Sequence, residues 1–299
     1  MCSIEQTINN YIEYLLSVRG YSDNTAKAYS IDLNKFKDFL KAEGLADKLH
    51  KVDLKVLDKF VEKLKKDGLK KSSIARIISS VRSFYRYLVT HNKLESNPAE
   101  LLELPQKDFS VPESLTYDEV EKLLEAPDTS TPKGLRDKAM FELLYATGMR
   151  VSELLGLKLG DIDLRERIVR CQGKGAKERI VPFGQHAADA VEAYLKNGRP
   201  FFVRKNRTNY LFVNTRGGKL SRTGFWKILK DYGNRIGLGD KLHPHLLRHT
   251  FATHMLAGGC DLMVIKELLG HASISTTEVY TKRDIQDLKK VVKTCHPRG

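Results

Sequence analysis

The stretch at 243–259, HPHLLRHTFATHMLAGG, decides how the second half of this 299-residue chain is read. Leu247, Phe251 and Met255 recur at four-residue spacing and give a helix one apolar face, and Pro244 suits its first turn. His245 and Arg248 share another face, where residues three apart sit about 5–6 Å from each other. An imidazole and a guanidinium so placed can grip one small anion. A capping histidine beside a surface arginine would leave the same letters. His245 and His249 have the four-residue spacing of two metal-binding imidazoles, but the residues between them lack the glutamate of an HExxH site.

Downstream, LLGHASISTTEVYTK at 268–282 ends a helix at Gly270 and places His271 just beyond it. Ser275 and Glu278 have capping-box spacing, which puts Tyr280 early on a further short helix. One local turn between His271 and Tyr280 brings both toward the face that carries His245 and Arg248.

Composition narrows the partner. The chain has 51 Lys and Arg against 37 Asp and Glu, a formal charge of +14, which suits a phosphate-rich polymer. Solubility or an anionic lipid surface accounts for the same charge. No run reaches the 18 uncharged apolar residues of a membrane span, and the N-terminus has no basic segment leading into an apolar one. The four cysteines, Cys2, Cys171, Cys260 and Cys295, form no CxxC or CxxH group. A protein of the reducing cytoplasm, with no membrane partner, is the expectation.

The length favours two domains. Residues 1–103 carry helical periodicity in four stretches, 7–18, 24–40, 54–66 and 72–91. In the last of these Ile74, Ile77, Ile78, Val81, Phe84 and Leu88 make the apolar stripe, and Arg76, Ser80, Ser83 and Tyr87 recur opposite. That polar stripe either follows a DNA backbone or is simply solvated. Pro105 and Pro112 mark a linker over 104–113, and a second domain over 114–299 begins with a capping box of Thr116 and Glu119. There LRDKAMFELLYATG at 135–148 reads as an amphipathic helix, RIVRCQ and ERIVPF as strands around a tip bearing Lys174, and NYLFVN at 209–214 as a short extended piece. The fold class is therefore mainly α with a small β-sheet.

Four motifs in order, ATGMRVSELLGL (146–157), GKGAKERIVP (173–182), HPHLLRHTFATHML (243–256) and LLGHASISTTEVYT (268–281), resemble those of tyrosine recombinases, most nearly the Xer subfamily. The resemblance covers both domains. It implies a four-helix, SAM-like core-binding DNA-binding domain at the N-terminus and a tyrosine-recombinase catalytic domain after it. It assigns catalytic roles to Arg150, Lys174, His245, Arg248, His271 and Tyr280, with Tyr280 as nucleophile. Glu153 matches an acidic position that supports the site, or is a first-turn charge of its helix. Arg76, Ser80 and Ser83 are then DNA-binding candidates.

By the same resemblance the substrate is a double-stranded recombination site, cut and rejoined through a 3′-phosphotyrosyl bond. No cofactor is expected: the phosphodiester energy is retained, and arginines take the charge-neutralising role a metal would have. Four protomers, of one kind or shared with a related recombinase, act on two sites through a Holliday junction, and a DNA translocase enters as a regulator. Resolution of chromosome dimers at a dif-like site is the expected task. A mobile-element integrase, a type IB topoisomerase and a noncatalytic basic DNA-binding protein are the alternatives. Finally, Ile285, Leu288, Val291 and Val292 stripe a terminal helix at about 283–293, too short to stand alone. The stripe either covers its own domain or, as the resemblance to Xer-like proteins implies, packs into a neighbouring protomer.

Overall fold

Side-chain oxygens that take up the free amides at helix starts fix the first elements. Ser3 caps α1 (Ile4–Ser17), Ser22 caps α2 (Asp23–Ala42) and Asp53 caps α3 (Leu54–Lys66), each accepting from a first-turn amide, and α4 (Lys71–Thr90) follows. A computed structural model describes residues 3–105, 114–172, 178–204, 207–243, 245–270 and 282–299. The chain divides into two units, Met1–Phe109 and Ser110–Gly299.

The four helices of the first unit close around Phe36, Phe60, Phe84 and Tyr85, all essentially buried. The apolar stripe of α4 is inside as expected. Two members of the polar stripe bond inside the bundle. Ser80 is fully buried and donates to Asp32 Oδ2 at 2.9 Å, and Ser83 accepts from Tyr11 Oη at 2.8 Å. The reason is packing: α4 lies against both α1 and α2, so two of its faces are covered, and the small hydroxyls fit the second. Ser80 and Ser83 are thus committed to internal bonds. Arg76 is half exposed and pairs with Asp32 at 2.6 Å.

In the second unit, α5 (Tyr117–Glu125) starts at the expected capping box, with both reciprocal bonds formed. The helix α6 (Pro132–Thr147) departs from the amphipathic expectation, because nearly every residue from Ala139 to Thr147 is buried. It is the central helix of the unit. Its charged residues are paired in place: Arg136 with Asp137 at 2.7 Å, and Glu142 with Arg298 at 2.6 Å. A four-residue helix, α7 (Val151–Leu154), leads to an antiparallel sheet of β1 (Ile162–Asp163), β2 (Ile168–Gln172) and β3 (Glu178–Pro182), in that order. Val169 pairs with Val181 and Cys171 with Arg179. After α8 (Gln185–Ala193), a π-turn and α9 (Arg199–Val203), the extended piece at 209–214 contributes only single bridges, Lys158 to Tyr210 and Val213 to Lys219. Then come α10 (Arg222–Arg235), α11 (Leu246–Ala257), α12 (Leu262–Leu269) and α13 (Lys282–Cys295). None of the described helices is long and apolar enough to cross a membrane.

Of the two covers open to the terminal helix, this single chain supplies the one within its own domain. The helix runs to Cys295, and its stripe is covered by its own unit: Leu288 and Val292 join the core between β3 and α11. Lys289 adds an ion pair to Glu166 at 2.8 Å. Behind the helix, His296 Nε2 meets Tyr145 O at 3.1 Å, and His296 Nδ1 accepts from the Arg298 amide at 3.1 Å. His254 is bound alike, with Nε2 to Leu115 O at 2.9 Å and Nδ1 accepting from Tyr145 Oη at 2.8 Å. His296 has a carbonyl at Nε2 and an amide donor at Nδ1, so an added proton on its Nδ1 finds no acceptor.

Acid therefore loosens this seam. Burial, with His254 and Arg298 nearby, draws His296 down to about 4, and burial also lowers His254. The folded value lies below the unfolded one, so the stabilisation is complete above about pH 6.5 and fades as pH falls toward 4. For His296 the loss between pH 7 and pH 5 is roughly 2 kcal/mol. Urea unfolding of the full chain at these two pH values should show this loss, and His296→Leu should remove most of it. An identical pH dependence in the variant contradicts the assignment.

Candidate active site

The site grows from two tight turns. Helix α6 stops at Gly148, whose φ of 58° is left-handed, and a Cβ there would lie 2.4 Å from Phe251 Cδ1. Only glycine fits so close a turn. It delivers Arg150 to the cap position of α7. One turn on, Glu153 reaches back: its carboxylate accepts from the Arg150 amide at 2.7 Å and from Arg150 Nη1 at 2.9 Å. The second turn is at Gly270, with φ of 66°, where α12 ends against the side chain of Arg179.

Arg179 projects from β3 onto Glu153 as a fork, Nη1 to Oε1 and Nη2 to Oε2, both at 2.9 Å. Such paired charge-assisted bonds fix direction as well as distance. The last carbonyls of α12, left without helical partners, are then shared among three guanidiniums. Leu268 O accepts from Arg179 Nε at 2.8 Å, Leu269 O from Arg248 Nη2 at 2.6 Å, and Arg150 Nη2 approaches Gly270 O at 3.5 Å. Arg248, presented by α11, also donates to Gly148 O at 2.8 Å.

Among the described residues, three guanidiniums and one carboxylate leave the cluster with two positive charges in excess. Burial, then repulsion by Arg150 and Arg179, draws Arg248 down to about 10. It stays charged at neutral pH. Burial pushes the Glu153 carboxyl up, but the bonds and charge of Arg179, then the amide and guanidinium of Arg150, outweigh it and hold Glu153 below the usual carboxylate range. The arrangement can hold an anion between Arg150, whose side chain is 38% exposed, and Arg248.

Of the residues expected from sequence, the structure brings together Arg150, Glu153 and Arg248. His245 is exposed at the cap of α11, one turn before Arg248. Lys174, His271 and Tyr280, with Pro244 and the capping box of Ser275 and Glu278, lie outside the described residues. The reading missed Arg179, although a signal was present. In β3 the alternation puts Arg179 and Val181 on the buried side, and an inward arginine on a strand demands a carboxylate.

Glu153 has 5% of its side chain exposed and Arg179 has 8%, so removing the carboxylate strands a buried cation. Glu153→Gln should cost about 3–5 kcal/mol of unfolding free energy, measured by urea titration. A loss below about 1 kcal/mol would mean that the pair carries little of the structure.

Comparison with known proteins adds an independent line. Residues 113–287 match the Phage integrase family, and residues 8–92 match its N-terminal SAM-like domain. The tyrosine recombinase XerD of Listeria monocytogenes serotype 4b is 44% identical over 294 residues, covering 98% of this chain and 99% of that protein. XerD of Halalkalibacterium halodurans is 42% identical over 298 residues, with 98% and 100% covered, and XerC of Herpetosiphon aurantiacus is 46% identical over 279, with 93% and 90% covered. Among solved structures, the Tn1549 transposon integrase in complex with circular intermediate DNA superposes with a TM-score of 0.73 at 19% identity, covering 96% of this chain and 99% of that one. A lambda integrase tetramer bound to a Holliday junction gives 0.69 at 20%, covering 93% and 81%. At these identities the structural likeness is one of fold.

Proposed function

The chain belongs to the phage integrase family of tyrosine recombinases, in the Xer subfamily, and on that footing we propose that it cuts and rejoins duplex DNA at a specific site through Tyr280. The observation that supports this reading is the placement of Arg150 and Arg248 together at the C-terminal carbonyls of α12. Attack on a phosphodiester gathers negative charge on the non-bridging oxygens, and two fixed guanidiniums are shaped to receive it. Preorganised donors of this kind contribute about 2.7–4 kcal/mol each in the transition state.

The remaining steps follow from the residues. The phenol oxygen of Tyr280 bonds to phosphorus as the bond from phosphorus to the 5′ oxygen breaks, leaving a 3′-phosphotyrosyl link and a free 5′-hydroxyl. Tyrosine has an ordinary pKa near 10, so its proton must pass to a neighbour, and His245 is the assigned base. Lys174 supplies the proton to the departing oxygen, and His271 donates a hydrogen bond to the phosphate. Reversal by a 5′-hydroxyl from another duplex rejoins the strands without ATP.

The partner is a double-stranded recombination site held by several protomers, four on two sites passing through a Holliday junction. Of the candidates for DNA contact in the first unit, Arg76, Ser80 and Ser83, Arg76 is the most exposed. The XerD and XerC relatives favour resolution of chromosome dimers in the cytoplasm, with a second recombinase and a DNA translocase as participants. The alternative is integration of a mobile element by the same chemistry.

The test is covalent capture. The protein, incubated with fragmented host DNA and denatured, should retain DNA on Tyr280, and Tyr280→Phe should abolish the adduct while duplex affinity changes less than about threefold. Adduct at the wild-type level in the variant overturns the assignment. Sequencing the captured DNA separates the two tasks, because a single chromosomal locus marks dimer resolution and the ends of an element mark integration.

A further inference from the structure

The contacts behind Arg150 are buried. Arg150 has 38% of its side chain exposed, Glu153 has 5% and Arg179 has 8%. Arg179 is therefore too enclosed to meet a DNA phosphate itself. Its guanidinium faces inward, with Nη1 and Nη2 on the two oxygens of Glu153 and Nε on Leu268 O. The Glu153 oxygens that Arg179 binds are the same ones that hold Arg150, Oε1 its guanidinium and Oε2 its backbone amide.

We propose that Arg179 is a positioning residue for strand cleavage, which aims Arg150 at the scissile phosphate through Glu153 and ties that pair to the end of α12. This rests on the reading of Arg150 as a phosphate-binding catalytic residue.

The physical reason is the number of ways a carboxylate can turn. Held by Arg150 alone, Glu153 could rotate, and the flexible arginine would follow it. The fork from β3 uses both oxygens at once and leaves one orientation. The Nε bond to Leu268 O fixes the same guanidinium to α12, whose next carbonyl holds Arg248. Two arginines that must meet one phosphate from separate elements are thereby referred to a common support. Alignment of this kind has a large effect on rate, since a displacement near 1 Å at a reacting centre slows chemistry about 100-fold.

The test measures covalent adduct formation at saturating duplex alongside duplex affinity. Arg179→Ala should slow cleavage about 100-fold and leave affinity within about threefold. In an Arg150→Ala background the same substitution should add less than about threefold, because its effect passes through Arg150. Arg179→Lys retains the charge but not the fork, and should remain at least about 10-fold slow.

Should Arg179→Ala fail to fold, the double replacement Arg179→Met with Glu153→Leu removes the ion pair together and keeps an apolar packing. That protein should melt near the wild-type temperature and still cleave about 100-fold slowly. Wild-type cleavage by it, or an undiminished Arg179→Ala effect in the Arg150→Ala background, overturns the positioning role alone. A wild-type chain that forms no adduct overturns the recombinase reading, and the proposal with it.

Discussion

Like charges do not gather without a counterweight, and here the counterweight is the end of α12 together with one buried carboxylate. Three guanidiniums, from Arg150, Arg179 and Arg248, converge on the carbonyls of Leu268, Leu269 and Gly270. A helix C-terminus carries a partial negative charge, so it suits cations. Glu153 supplies the full negative charge and binds two of the three. Among the described residues positive charge remains in excess, and an anionic phosphate would offset it. The cluster is assembled by a helix end, a strand and two glycine turns.

Much of this was legible because the chemistry constrains the letters. The apolar spacing of Leu247, Phe251 and Met255 oriented α11, and all three are buried, so His245 and Arg248 had to face elsewhere. Gly148 and Gly270 were recognisable as helix ends, and both have left-handed backbones. Glu153 was left between two roles, because a first-turn glutamate looks the same whether it serves its helix or a neighbouring cation. The structure gives it both: it bonds the Arg150 amide and two guanidiniums.

What escaped the sequence depended on the third dimension. Ser80 and Ser83 repeat with helical period opposite an apolar stripe, which periodicity alone assigns to the surface. Only the approach of α1 and α2 to two faces of α4 turns that stripe inward. The acidic and basic letters of α6 suggested a solvated face, yet Arg136 and Glu142 find partners inside. The terminal stripe at Leu288 and Val292 required a cover, as its short length dictated. Which surface supplies that cover is a tertiary fact, and in this chain it is the groove between β3 and α11.

The account turns on one anion meeting both Arg150 and Arg248 while Glu153 keeps its fork with Arg179. The most direct measurement is a crystal structure of the full chain on its duplex site. The account requires a single phosphate whose non-bridging oxygens lie within about 3 Å of both guanidiniums, with the bonds from Arg179 to Glu153 retained. A scissile phosphate bound by only one of the two arginines, or Arg179 swung away from Glu153 onto the DNA, would contradict it.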